Sequence, residues 1–137
     1  MITEDYVSFE TAKLLKEKGF EYNPDESYWL IDANNTLYWI SSIGAYDYVD
    51  VPTESFQRPK NGYRLVTQAM AMKWLREKHG LYVVIRPYVT EEGTLSLFDI
   101  KSIKEKGVVV NLKTKTGFNS YEEAAEAGIR YCLENLI

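Results

Sequence analysis

The stretch VTQAMAMKWLREKHGLYVVIRPYV, Val66 to Val89, constrains the fold more than any other part of the chain. Thr67 can cap a helix, because its hydroxyl accepts from an otherwise unpaired first-turn amide. Gly80 can end that helix in the left-handed conformation, which costs glycine nothing sterically. At about 100° per residue, Met70, Ala71, Trp74 and Leu75 share one arc, while Gln68, Lys73, Arg76 and Glu77 point elsewhere. The β-branched run from Leu81 to Ile85 then predicts a strand with no loop between. Such a pair requires a domain in which helices pack on a sheet.

The flanking segments extend this pattern. Ser8 opens a helix carried by Phe9 to Lys18, with Ala12 and Leu15 inward and Gly19 followed by Phe20 as its stop. YWLIDANNTLYWIS reads as a hairpin turning at Asn34-Asn35, residues that tolerate positive φ. A two-residue turn pairs Ile31 with Tyr38, Leu30 with Trp39 and Trp29 with Ile40. Trp29, Ile31, Tyr38 and Ile40 are then the core face. Tyr28, Leu30, Leu37 and Trp39 form the opposite face, a candidate interaction surface. Ser42 to Leu65 lacks a clean period, although AYDYVDV alternates as a short strand and RPKNGYR reads as a turn.

After the central helix come three strands, Leu81 to Val89, Leu95 to Ile103 and Val108 to Lys113. Pro87 places the first at an edge or a bulge. Ser120 with Glu123 makes a capping box for a last helix, Tyr121 to Leu136. Its apolar stripe is Tyr121, Ala125, Gly128, Ile129, Cys132, Leu133 and Leu136. The predicted fold is a single α+β domain over residues 1–137, in the order α-β-β-(loop)-α-β-β-β-α. Its sheet is antiparallel, with helices packed on one face.

Composition sets limits on function. The chain has 137 residues, 45% of them hydrophobic and 26% charged, enough to bury a core without staples. No apolar run approaches the ~20 residues that span a bilayer. The acidic start MITEDYVSFE is unlike a secretory leader, and a single cysteine fits a reducing compartment, so a cytoplasmic location is expected. The net charge of −4 argues against a dedicated nucleic-acid binder. The 11 tyrosines and 3 tryptophans suit either burial or a binding surface.

The candidate chemical groups of the chain each have a structural role open to them. His79, the sole histidine, sits in a last helical turn, where positive charge is favoured. Without a second histidine or a cysteine cluster no zinc set is present, and Cys132 lies on an apolar stripe as an inert thiol. Asp47, Asp50 and Glu54 lack the spacing of a calcium loop. Asp99 interrupts the apolar strand TLSLFDI and is assigned to its solvent side. No glycine-rich phosphate loop occurs. Phe56, Arg58, Lys60, Tyr63 and Arg64 interleave aromatic and basic residues as single-strand nucleic-acid binders do. The plainer reading is a loop whose aromatics pin it to the core.

The segments VSFETAKLLKEKGF, TQAMAMKWLREKHGLYV and SYEEAAEAGIRYCLENLI together resemble a group of short, uncharacterised bacterial proteins, many carried by prophages and other mobile elements. That resemblance implies an intracellular accessory protein and no particular chemistry. The expectation is a non-catalytic interaction module without cofactor, metal or membrane. Its partner would be a protein or a second copy of the chain. The alternative is a single-stranded nucleic-acid binder using residues 56–64.

Overall fold

The computed structural model describes residues 4–21, 28–40 and 62–137. Along the chain run α1 (Phe9–Glu17), β1 (Tyr28–Ile31), β2 (Leu37–Ile40), β3 (Tyr63–Arg64), α2 (Gln68–His79), β4 (Leu81–Thr90), β5 (Gly93–Ile103), β6 (Val109–Phe118) and α3 (Tyr121–Asn135). The α+β class and antiparallel pairing are those expected, and the order is roughly so, but a short strand, β3, stands within the expected loop and the single expected sheet is replaced by two. The strands form two three-stranded sheets, β2-β1-β3 and β4-β5-β6. The chain divides into two compact units, one of residues 7–66, the other of Thr67–Ile137 with the N-terminal residues up to Tyr6.

In the first unit, local hydrogen bonds set the ends of α1. The Ser8 hydroxyl accepts from the Thr11 amide at 3.2 Å. Gly19 takes φ +91°, so its own amide reaches the Lys16 carbonyl and the Phe20 amide reaches that of Leu15. This pair of bonds satisfies carbonyls that the helix end leaves open, and both Leu15 and Phe20 are buried. β1 is the central strand of the sheet. Its consecutive residues Leu30 and Ile31 point to opposite faces, and both are buried.

The hairpin register differs from the expected one by a single residue. Ile31 lies opposite Leu37, Leu30 opposite Tyr38 and Trp29 opposite Trp39. The reason is the turn. An Asp32 carboxylate oxygen accepts from the Asn34 and Thr36 amides, both at 2.9 Å, and only Asn35 has positive φ. The Asn35 amide reaches the Asp32 carbonyl, and the Asp32 amide reaches that of Thr36. The loop therefore holds three residues, ending in a left-handed one, rather than two.

In the second unit, Thr67 caps α2 by accepting from the Met70 amide, and Gly80 ends it at φ +62°. The buried face of α2 is Gln68, Ala71, Met72 and Leu75. This corrects the expected arc: Met70 is 47% exposed, and Trp74 is only half-buried, its ring meeting His79 edge-on at 4.7 Å. The Gln68 side chain donates to the Glu122 carbonyl at 2.9 Å, which draws that side of α2 towards α3. The Ser120 hydroxyl caps α3 through the Glu123 amide, while the Glu123 carboxylate accepts from Asn119 rather than Ser120. α3 lies across β4 and β5 and buries Ala124, Ala125, Gly128, Ile129, Cys132 and Leu133. Tyr121 and Leu136, expected in that stripe, are exposed, and Ala124 takes their place in the core.

Helix and sheet approach closely at Gly128. A Cβ there would lie 2.7 Å from a Val83 methyl and 3.3 Å from the Phe98 ring. Phe98 and Ile100 of β5 occupy this helix-facing side. Leu97, Asp99 and Lys101 alternate onto the other.

Candidate interaction surface

Asp99 is the most informative residue of that other face. It is 2% exposed, in contrast to its expected solvent position. Two neighbouring strands account for this burial. One carboxylate oxygen accepts from Arg86 Nε at 2.7 Å, and the other accepts from the Thr114 hydroxyl at 2.6 Å. The Asn111 side-chain Nδ2 donates to that same hydroxyl at 2.9 Å. The clasp thus joins β4, β5 and β6 in one line. The hydrogen bond from Arg86 holds the Asp99 carboxyl below the usual range, opposed by burial and aided by Thr114 and the charge of Lys101. The same bond raises Arg86. The burial is shallow, since the Arg86 side chain is itself 57% exposed.

A second link runs beside the first. The Tyr88 hydroxyl of β4 accepts from the Gly117 amide of β6 at 2.9 Å. β6 carries an extra residue between Lys115 and Phe118 relative to β5, and Gly117 has φ +94°. Such a bulge turns an amide out of the ladder, and here Tyr88 takes it up. Leu97 lies beneath this reach and is buried. The clasp and the tyrosine link thus cover a sheet face that α3 does not. Both are primarily structural.

β6 itself is different. Like β4 it pairs with β5 alone among the described residues, so its outer backbone edge is unmatched there, but it is the more exposed of the two. Every residue from Val109 to Gly117 except Val110 is exposed. Lys113 Nζ lies 5.5 Å from the Tyr131 ring centroid and Lys115 Nζ 5.9 Å from that of Phe118, which holds both ammoniums along the helix side of this edge. Val108, Val109 and Leu112, which precede them in the chain, are exposed apolar residues. Between Lys101 and Gly117 the chain carries five lysines and one glutamate, against a net charge of −4 overall. The strand expected to end at Lys113 runs on to Phe118, through a KTKT stretch that is polar on both faces. The signal for an exposed edge strand was that polar alternation itself.

The residues singled out from sequence are placed as follows. Leu30 is buried and Leu37 is exposed, and the corrected register puts them on opposite faces, so they do not belong to one patch. The side chains of Tyr28 and Trp39, and the residues Phe56, Arg58, Lys60, Asp47, Asp50 and Glu54, lie outside the described residues. Tyr63 packs on α1, its ring 5.4 Å from Phe9 and 5.6 Å from Lys16 Nζ, and Arg64 pairs with Leu30 across strands. His79 is exposed at the end of α2. Cys132 is fully buried, and burial pushes its thiol up to about 12.

Among the described residues, no group of three histidine, cysteine or carboxylate side chains could hold a metal ion, and no helix is long and apolar enough to cross a membrane. No family model matches the chain, and no curated protein or solved structure matches it.

Proposed function

We propose that this chain is a non-catalytic, cytoplasmic binding module that docks a protein partner on the exposed edge strand β6. The observation that carries this reading is the edge: a ten-residue strand, Val109–Phe118, exposed over almost its whole length and paired on one side only among the described residues. An unmatched strand edge offers main-chain donors and acceptors to an extended segment, and its side chains add selectivity. The clasp through Asp99 and the link through Tyr88 hold β6 to the rest of its sheet, so the edge is presented in a fixed register. Prepaying that order lowers the entropic cost of docking.

The test is capture from the native host with the wild type and with a Val109→Thr, Leu112→Thr variant, followed by reconstitution from purified components. A partner that forms a stoichiometric complex with the wild type and is lost by the folded variant supports the reading. A partner retained by the variant, or substrate turnover by the purified chain, overturns it.

A further inference from the structure

We infer that the segment β6 accepts is extended and acidic, with carboxylates at alternate positions; this inference rests on the proposed docking role of β6. The charge around the edge selects this occupant. Lys113 and Lys115 stand two residues apart on one side of the strand, where alternation places their side chains together. Their ammoniums are held over the rings of Tyr131 and Phe118, yet both residues are exposed. An added antiparallel strand bearing acidic residues at i and i+2 sets one carboxylate beside each lysine, and opposite charges across strands attract. Lys104 and Lys106, flanking Glu105, add positive charge at the β5–β6 turn.

Other occupants fit less well. A second copy of β6 would bring lysine against lysine, and like charges directly opposite repel. Lysines on an edge are a common guard against such self-pairing, and that guard does not act against an acidic strand. Nucleic acid would match the charge. The rings at this edge, Tyr131 and Phe118, are however half-buried and already lie beneath the lysine ammoniums, so they are not open platforms on which bases stack. Thr114, the residue between the two lysines, is uncharged, so the partner position between its two carboxylates needs no charge.

The experiment uses the full ¹⁵N-labelled chain and three probes at low salt: an alternating Glu-Val octapeptide, an alternating Lys-Val octapeptide, and a twelve-residue oligothymidylate. The Glu-Val peptide is expected to shift the Val109–Phe118 amides, and the Lys-Val peptide to bind at least about tenfold more weakly. Lys113→Glu with Lys115→Glu should reverse that preference, with unchanged resonances of α2, which packs on α3 and β4, showing that the variant is folded. If the variant does not fold, Lys113→Gln with Lys115→Gln should abolish the preference instead. Equal shifts from both peptides overturn the acidic assignment and leave the docking edge standing. No shift in β6 from either peptide at millimolar concentration overturns both. A tighter response to the oligothymidylate replaces the peptide with nucleic acid and overturns the inference.

Discussion

At the scale of single residues, burial and bonding decide what each side chain can do. Cys132 lies at the bottom of the α3 packing, so its thiolate is scarce at neutral pH. Native protein should react with a thiol reagent at pH 7 far more slowly than denatured protein; comparable rates would place the thiol at the surface. Trp74 is half-buried, which lowers the expected loss for Trp74→Ala to about 1–2 kcal/mol, below the ~3–5 of a fully enclosed tryptophan. Leu75→Ala, at a residue with no exposure, should cost more, about 2–5 kcal/mol. Urea denaturation of the two variants checks the order, and a larger loss at Trp74 would mean that the buried face of α2 is the arc expected from sequence. Gly128→Ala sets two effects against each other. Alanine gains about 1 kcal/mol of helix propensity, but its Cβ would meet the Val83 methyl at 2.7 Å, and a β-branched side chain has few rotamers to yield with. Overpacking of this kind costs about 1–3 kcal/mol, so net destabilisation is expected in the same denaturation assay.

Elements are joined by groups that belong to more than one of them. Asp99 accepts from β4 and β6, which makes it a cross-strand clasp. Asp99→Ala should cost about 1–2 kcal/mol, at the low end for bonds to a buried charge, because Arg86 and Thr114 are exposed enough to be rehydrated. The pH dependence follows in sign. The folded-state pKa of Asp99 is lowered, so its contribution is present above the ordinary carboxylate range of about 4 and is lost as pH falls through the depressed value. Denaturation midpoints followed from pH 6 to pH 2 should therefore fall for the wild type and fall less for Asp99→Asn. An equal decline in both would assign acid sensitivity to other carboxylates.

For the whole molecule, the two compact units each have a central strand, and protection should follow that arrangement. Within Thr67–Ile137, the amides of Phe98 to Ile100 lie in the middle strand under α3 and should exchange most slowly. The amides of β6 that face away from β5 should exchange fastest among the strand residues. Hydrogen exchange read by NMR gives this order directly. Slow exchange along both edges of β6 would mean that the edge is already covered, and it would remove the docking reading at its base.

Helix ends were legible in the sequence because their causes lie within a few residues. Ser8, Thr67 and Ser120 each bond an amide three positions on, and Gly19 and Gly80 each adopt positive φ where a helix must stop. The class and order of elements were legible for the same reason, since apolar period and turn residues are local. What the tertiary structure decided was which groups meet. Met72 replaced Met70 in the core because the face of α2 is chosen by contacts far along the chain, among them the bond from Gln68 to Glu122. The hairpin slipped by one residue because the Asp32 side chain competes with the backbone for turn amides, a choice that residue type alone leaves balanced. Asp99 is buried because Arg86 and Thr114 arrive from strands 13 and 15 residues away. A carboxylate read alone belongs in water; given a guanidinium and a hydroxyl across the sheet, it becomes the clasp that holds the edge strand in place.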